Sequence, residues 1–275
     1  MFLIKWLYKT WFNKNTKIGV SYNVFDGYEL LPFSIKAIRE HVDYINIIYQ
    51  SISYQGNSCD DELLLMLNTL LEQGLIDEIK CVNPIKNIPS TKFERKKRRV
   101  GLRLAQASGC THFMANDCDE FYETDSFNKA KDFIIKNNIK SSVAYLVDYV
   151  KAPIYQINNP NNYYVPFIFK LSLFSNMKKP ANFPKQVDGS RCLNSKQNFH
   201  EFKQDELVCH HMRLVRKNLL SKYANRSNKK DLKYDIDDAV NNIQNYNYPD
   251  KFIDIEVQNK SFEIKKVDNI FNITF

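Results

Sequence analysis

Three carboxylates close an apolar run in Thr111-His112-Phe113-Met114-Ala115-Asn116-Asp117-Cys118-Asp119-Glu120-Phe121-Tyr122. Two Asp at i and i+2 face the same side of a continuing strand. Where the strand ends the backbone turns, and Asp117 and Asp119 can converge on one hard cation. Oxygen donors of this kind suit Mg²⁺ or Mn²⁺, which keeps open positions for substrate phosphates. The bland alternative is a solvated acidic loop after a buried strand, because a bare D-x-D is frequent by chance. His210 and His211 are adjacent on an expected strand, so their rings face opposite ways and at most one reaches a given site. A neutral imidazole at either position can complete a metal site begun by two carboxylates. Two acids are candidates for a general base: Glu120, which follows the D-x-D, and Asp188, in Val187-Asp188-Gly189-Ser190-Arg191. The basic run Lys92-Phe93-Glu94-Arg95-Lys96-Lys97-Arg98-Arg99 can balance a diphosphate or an acidic acceptor.

The elements that must position these groups are legible from periodicity. Lys17 to Asn23 predicts a first strand, and Asp26-Gly27 marks a turn. Leu30, Leu31, Ile35, Ile38 and Val42 recur at helical spacing, so Glu29 to Val42 predicts a helix. Tyr44 to Tyr49 is a β-branched run. Asp60 to Gln73 predicts a helix, with Gly74 in a C-cap position. Ile76 to Val82 predicts a third strand. Thr91 to Ser108 is the basic helix, ended by Gly109, and it leads into the carboxylate strand. This β-α-β-α-β-α-β alternation favours parallel strands with right-handed crossovers. Ligands of such sheets collect outside the carboxyl ends of the strands, which is where Asp117 falls. Further on, Asp125 to Asn137 suits a helix. Ser141 to Val150, Tyr164 to Phe174 and Glu206 to Val215 suit strands, and a basic helix follows from Lys217. The tail from Phe252 shows short alternating runs with no chemistry of its own.

The totals bound the class. At 275 residues and 44% hydrophobic, the chain can bury one large α/β domain or two small ones. With 7 Gly and no G-x-x-x-x-G-K-[ST], a glycine-rich phosphate loop is excluded. The six Cys are dispersed without a C-x-x-C, so reduced thiols are expected rather than a zinc site or a disulfide framework. A net charge of +8 favours polyanionic partners: phosphorylated substrates, anionic lipid or nucleic acid. Residues 1–15, MFLIKWLYKTWFNKN, are too short in apolar length to span a bilayer. They read as an amphipathic interfacial anchor or as a terminal helix packing on its own domain.

Taken in order, these features resemble a GT-A-fold glycosyltransferase, close to family 2 and its relatives among bacterial surface-polysaccharide enzymes. The resemblance covers Lys17 to Arg226. It rests on the Glu29-Leu30-Leu31 helix start, Tyr49-Gln50-Ser51 at a strand end, Arg98-Arg99-x-Gly101, Asp117-x-Asp119-Glu120-Phe121, and His210-His211 followed by Arg216. It implies an α/β, Rossmann-like mixed sheet flanked by helices. The implied division is an N-terminal segment 1–15, a catalytic domain 16–228 and an acceptor-side extension 229–275. It also implies a nucleotide-sugar donor, a UDP-sugar by preference, with Asn23, Gln50, Ser51 and Arg98 near the nucleotide. Arg98 matches the arginine of the family's Ala-Arg-Asn-x-Gly pattern, although Lys97 and Arg99 replace its neighbours. Asp117 and Asp119 match the D-x-D that holds Mn²⁺ or Mg²⁺ and the diphosphate. His211 or His210 is the further metal ligand, and Arg216 and Lys222 face the leaving diphosphate. The implied activity is metal-dependent transfer of a sugar to a glycan or lipid-linked acceptor at the cytoplasmic face of the membrane, with no nucleic-acid partner. Two other readings share parts of this pattern: a nucleotidyltransferase, and a non-catalytic basic protein that binds membrane surfaces or nucleic acid.

Overall fold

A computed structural model describes residues 16–85, 88–159, 163–177, 183–193, 198–226 and 234–275. The amphipathic segment 1–15 and the expected boundary at 228/229 lie outside the described residues.

In chain order, strand β1 (Ile18–Val24) is followed by a 3₁₀ turn and helix α1 (Leu31–Ile38). Next come β2 (Tyr44–Tyr49), α2 (Asp61–Glu72), β3 (Glu78–Cys81), α3 (Ser90–Ala107) and β4 (His112–Asp117). The second half holds β5 (Glu120–Phe121), α4 (Thr124–Lys136), β6 (Ser141–Val150), β7 (Tyr155–Asn158), β8 (Tyr163–Pro166), β9 (Phe169–Lys170), β10 (Phe199–Glu201) and β11 (Val208–Leu214). Helices α5 (Leu219–Ala224) and α6 (Ile236–Gln244) and strands β12 (Phe252–Asp254) and β13 (Lys260–Lys266) complete it.

The first sheet has the order β3-β2-β1-β4-β9, with β1 to β4 parallel and β9 antiparallel at the edge. The chain builds outward from β1 to β3, then returns to place β4 on the other side of β1. The topological switch point therefore lies between β1 and β4, and Asn23 pairs with Asp117 at its carboxyl end. This is the α/β, Rossmann-like architecture expected from the alternation.

Side-chain alternation assigns the two faces. Val20, Tyr22, Ile45, Ile47 and Met114 pack with α1, α2 and α4 in one core. Phe113 and Ala115 pack with Leu102 and Ala105 of α3 in another. Gly19 and Ser21 lie on the α3 face. A Cβ on Gly19 would stand 2.8 Å from the Ala105 Cβ, and one on Gly101 would stand 1.8 Å from the Ser21 Oγ. The missing side chains let α3 lie directly on β1. Ser21 donates to Asn46 Oδ1 at 2.7 Å, and Asn46 Nδ2 donates to the Gly101 carbonyl at 3.1 Å, which satisfies the buried amide.

The same alternation carries Asn23 and Asp117 to the α3 face, one turn beyond the small residues, where the helix turns basic. His112 lies in β4 with Nδ1 3.0 Å from Thr111 Oγ1, while its Nε2 is buried without a hydrogen-bond partner. Burial, helped by Lys170, pushes its imidazole down to about 4.

The second sheet has the order β12-β13-β7-β6-β11-β5, and β8 and β10 also pair with β6. The segment expected as one strand from Tyr164 to Phe174 is instead divided between sheets. Tyr163–Pro166 pairs with β6, and Phe169–Lys170 pairs with β4. Phe167 and Ile168 between the two pairings are both buried, and Pro166 has no N–H to extend a ladder. The tail also exceeds expectation. Ala239, Val240 and Ile243 of α6 pack with Val150, Leu214, Tyr223, Phe252 and Phe262 in a core of their own. Asp235 caps α6 by accepting from Asp237 N at 2.8 Å and Asp238 N at 3.2 Å.

Two outcomes follow. Gly101→Ala forces a methyl into Ser21, and overpacking of this kind costs about 1–3 kcal/mol. Chemical denaturation showing unchanged stability would contradict the close docking of α3. The unfolded state accepts a proton on His112 near the ordinary imidazole value, whereas the folded state refuses it until about pH 4. Stability should therefore fall as pH drops through this window. A His112→Gln variant should show a flatter profile there, measured as midpoint against pH.

Candidate active site

The carboxylates after β4 are held by arginines drawn from three parts of the chain. Arg98, from α3, places Nη2 3.1 Å from Asp117 Oδ1. Arg191 donates Nη1 to both Glu120 oxygens at 2.6 Å and pairs through Nη2 with Asp117. Its Nε lies 3.4 Å from Asp188 Oδ2. Arg216 pairs through Nη2 with Asp119. Gly27, at φ 68°, admits this guanidinium, because a Cβ there would stand 2.8 Å from Arg216 Cζ. Burial alone would raise the Asp119 carboxyl, but Arg216 and then His211 outweigh it and hold it well below the usual carboxylate range.

Asp117 and Asp119 have different ion partners. β4 ends at Asp117, and the chain turns at Cys118 and Asp119. Asp117 looks toward Arg98 and Arg191. Asp119 is buried beside β11, where the antiparallel pairing of β5 sets His211 opposite Glu120. His211 Nε2 stands 3.4 Å from Asp119 Oδ2, and its Nδ1 donates to Asp148 Oδ1 at 2.7 Å. Burial would lower this imidazole, but Asp119 and Asp148 raise it to about 9. His210 faces the other way. Its Nδ1 lies 2.8 Å from the Tyr149 hydroxyl and its Nε2 3.4 Å from Glu123 Oε1, so the strand's alternation removes it from the set.

The donor chemistry of Asp119 and His211 fits Mg²⁺ or Mn²⁺. Two donors on one ion with bonds near 2.1 Å stand about 3 Å apart, close to the separation seen. The Nδ1 of His211 is committed to Asp148, which leaves Nε2 facing the carboxylate. No group of three or more metal-ligating side chains occurs among the described residues, so a cation here would need water or substrate oxygens as well.

Two clefts adjoin these groups. One, of about 670 Å³, opens at the β1/β4 switch point and is lined by Asn23, Arg95, Lys97, Arg98, Asp117 and Asp188, among others. The Asn23 amide is buried with neither Nδ2 nor Oδ1 partnered, and Arg98 Nε and Nη1 are likewise buried and unpartnered. The other, of about 700 Å³, lies over the second sheet, lined by Leu146, Tyr163, Tyr164, Asp188, His211 and Phe262, among others. Asp188 borders both. Its side chain is 49% exposed, and although burial would raise its carboxyl, Arg98 and Arg191 hold it at about 2.

The remaining expected residues fall in different places. Gln50 is tied inward: Oε1 accepts from Lys97, and Nε2 donates to the Ile52 carbonyl at 3.0 Å. Ser51 donates through its N–H to Asn83 Oδ1 at 2.8 Å. Neither lines the switch-point cleft, because both brace the loop after β2. Glu120 has both oxygens taken by Arg191 and a side chain 2% exposed, so it anchors Arg191 and cannot reach a substrate. Lys222 is half-buried and donates to the Arg213 carbonyl; burial, reinforced by Arg216, pushes its ammonium down to about 8. Arg191, Asp148 and Arg213 were not singled out from sequence. A lone Asp within the apolar run of β6 was the available signal, since a carboxylate in such a strand needs a partner.

No protein-family model and no curated protein matches the chain. Among solved structures it is similar to Staphylococcus aureus TarS. For TarS 1–349 the identity is 13% and the TM-score 0.33, over 50% of this chain and 36% of that one. For TarS 1–349 in complex with UDP-GlcNAc the identity is 14% and the TM-score 0.33, over 50% and 35%. The chain thus spans about a third of the length of these structures.

Arg191→Leu should destabilise the protein by about 3–5 kcal/mol, because it leaves Glu120 buried without its cation. Glu120→Gln in the same background should recover part of the loss in urea denaturation. Additive losses would show that the two side chains are not coupled.

Proposed function

We propose that the chain is a glycosyltransferase that takes a nucleotide-sugar donor in the switch-point cleft and an acceptor in the cleft over the second sheet. The observation that carries this reading is the buried, unpartnered Asn23 amide beside the unpartnered Arg98 guanidinium edge, at the carboxyl end of β1 and β4. Buried polar groups are ordinarily paired, so unpaired donors and an acceptor at a cleft mouth fit a ligand with both hydrogen-bonding and anionic parts. A nucleoside diphosphate has both. Lys92 and Arg95 add positive charge along the same wall.

In this reading residues 16–228 form the catalytic part and 229–275 the acceptor-side extension. Asp119 and His211 hold Mn²⁺ or Mg²⁺, and Asp117 borders the donor with Arg98. The ion, when bound, supplies positive charge to the diphosphate. Arg98 faces the diphosphate from the α3 side, where charge develops as the sugar departs, and Arg216 acts through Asp119, which it holds in place. Asp188, the carboxylate common to both clefts, takes the proton of the acceptor hydroxyl. The acceptor oxygen bonds to the anomeric carbon as the bond from that carbon to the diphosphate oxygen breaks, and the electron pair leaves with the diphosphate. Arg98 and Arg191 make Asp188 a weak base in the free protein. Donor phosphates set against Arg98 would offset that charge and raise its basicity only when donor is in place. The lining suits a glycan or lipid-linked glycan acceptor, as in surface-polysaccharide assembly. Among the described residues no helix is long and apolar enough to cross a membrane.

The test is thermal stability with a panel of nucleoside diphosphates, with and without Mn²⁺. A ligand at about 100 times its dissociation constant adds about 2.7 kcal/mol. A shift that Asn23→Ala and Asp119→Asn each reduce is expected, together with Asp188→Asn turnover reduced about 10²–10⁴-fold at unchanged donor affinity. Absence of any shift at millimolar nucleotide overturns the reading, and pyrophosphate release from a nucleoside triphosphate would instead indicate nucleotidyl transfer.

A further inference from the structure

Asp148 is the charged residue of strand β6, and the proposed reaction gives it no part. It lies in register with His211 on the neighbouring parallel strand, so the sheet itself sets the two side by side. Its Oδ1 accepts from His211 Nδ1 at 2.7 Å, and its Oδ2 lies 3.8 Å from Arg213 Nε. Arg213 is in turn fixed from the C-terminal part. Its Nη2 pairs with the buried Asp254, and its Nη1 donates to Glu256 Oε2 at 3.2 Å. Glu256 also takes Arg226 Nη1 at 3.0 Å and the Tyr223 hydroxyl at 2.6 Å. Both acids sit at the edge of the core built by α5, α6, β12 and β13.

We propose that Asp148 is the positioning residue of the cation site, keeping the proton on His211 Nδ1 so that Nε2, on losing its own proton to solvent as the cation enters, presents its lone pair beside Asp119. The proposal rests on the reading of Asp119 and His211 as cation ligands. An imidazole bonded to a single neighbour can rotate or change tautomer. The carboxylate on Nδ1 fixes both, and its charge makes Nε2 a better donor. Arg213, held by Asp254 and Glu256, sets its charge 3.8 Å from Asp148, which gives the C-terminal extension an electrostatic part at the site.

The experiment is Mn²⁺ binding to the full chain without nucleotide, followed by the electron paramagnetic resonance signal of free Mn²⁺. Wild type should bind, Asp119→Asn and His211→Ala should not, and Asp148→Asn and Asp148→Ala should bind about 10–100-fold more weakly. Asp148→Glu should recover part of the affinity. Wild-type binding that both neutral variants leave unchanged overturns this proposal alone, and no binding by wild type overturns the cation reading with it. Should the neutral variants fail to fold, the wild-type chain loaded with diamagnetic Cd²⁺ gives the answer by ¹⁵N imidazole shifts. Protonated Nδ1 with ligating Nε2 on His211 supports the assignment, and the opposite tautomer overturns it.

Discussion

Burying several carboxylates within a few residues of one strand end is the constraint around which the rest of the molecule is arranged. Charges removed from water are tolerated only when paired and hydrogen-bonded. Asp117, Asp119 and Glu120 therefore need cations, and the cations come from far along the chain: Arg98 from α3, Arg191 from the segment before β10, and Arg216 from the end of β11. Each pairing pins a piece of backbone. Arg191 draws residues 186–190 between the two clefts, and Arg216 seats the chain leaving β11 against Gly27. Such pairs add little net stability compared with apolar packing, but losing one partner strands the other. The ion pairs thus act as registration devices, and the clefts owe their shape to them.

Close packing of α3 on β1 makes the second half of this arrangement possible. Gly19, Ser21 and Gly101 reduce the helix–strand gap to backbone contact, and the strand period then carries Asn23 and Asp117 to the same face one step further on. The helix reaches them with Lys97 and Arg98. Small residues in the middle of β1 and charged residues at its end are two consequences of one alternation.

The first half of the fold was legible because each element carried a strong period and its own punctuation. Tyr44–Tyr49 matches the β-branched run, and Gly74 and Gly109 take the left-handed conformation that ends their helices. The second half was less legible. Short strands that change sheet, as at Pro166 to Phe169, leave an apolar run indistinguishable from one long strand. Helix α6 hides its apolar stripe among Asp and Asn. In the site, residue type was readable and partnership was not. Sequence spacing predicts faces within an element, but it does not show that Asp117 would pair with Arg98 and Arg191 while Asp119 pairs with Arg216. Nor does it show that Arg191 would enclose Glu120 while Asp188 stays exposed.

That allocation bears on the direction of any chemistry. Glu120 and Asp188 are both acids near Arg191, yet one is enclosed by it and the other only borders it. Exposure separates an anchor from a reagent. Asp188 is exposed and lines both clefts, with Arg98 in the lining of the basic one and His211 in that of the aromatic one. The wall between the clefts is held by Arg191, and Arg191 is held by the acids at the end of β4. The carboxylate strand therefore decides, through Arg191, where the boundary between the two clefts falls.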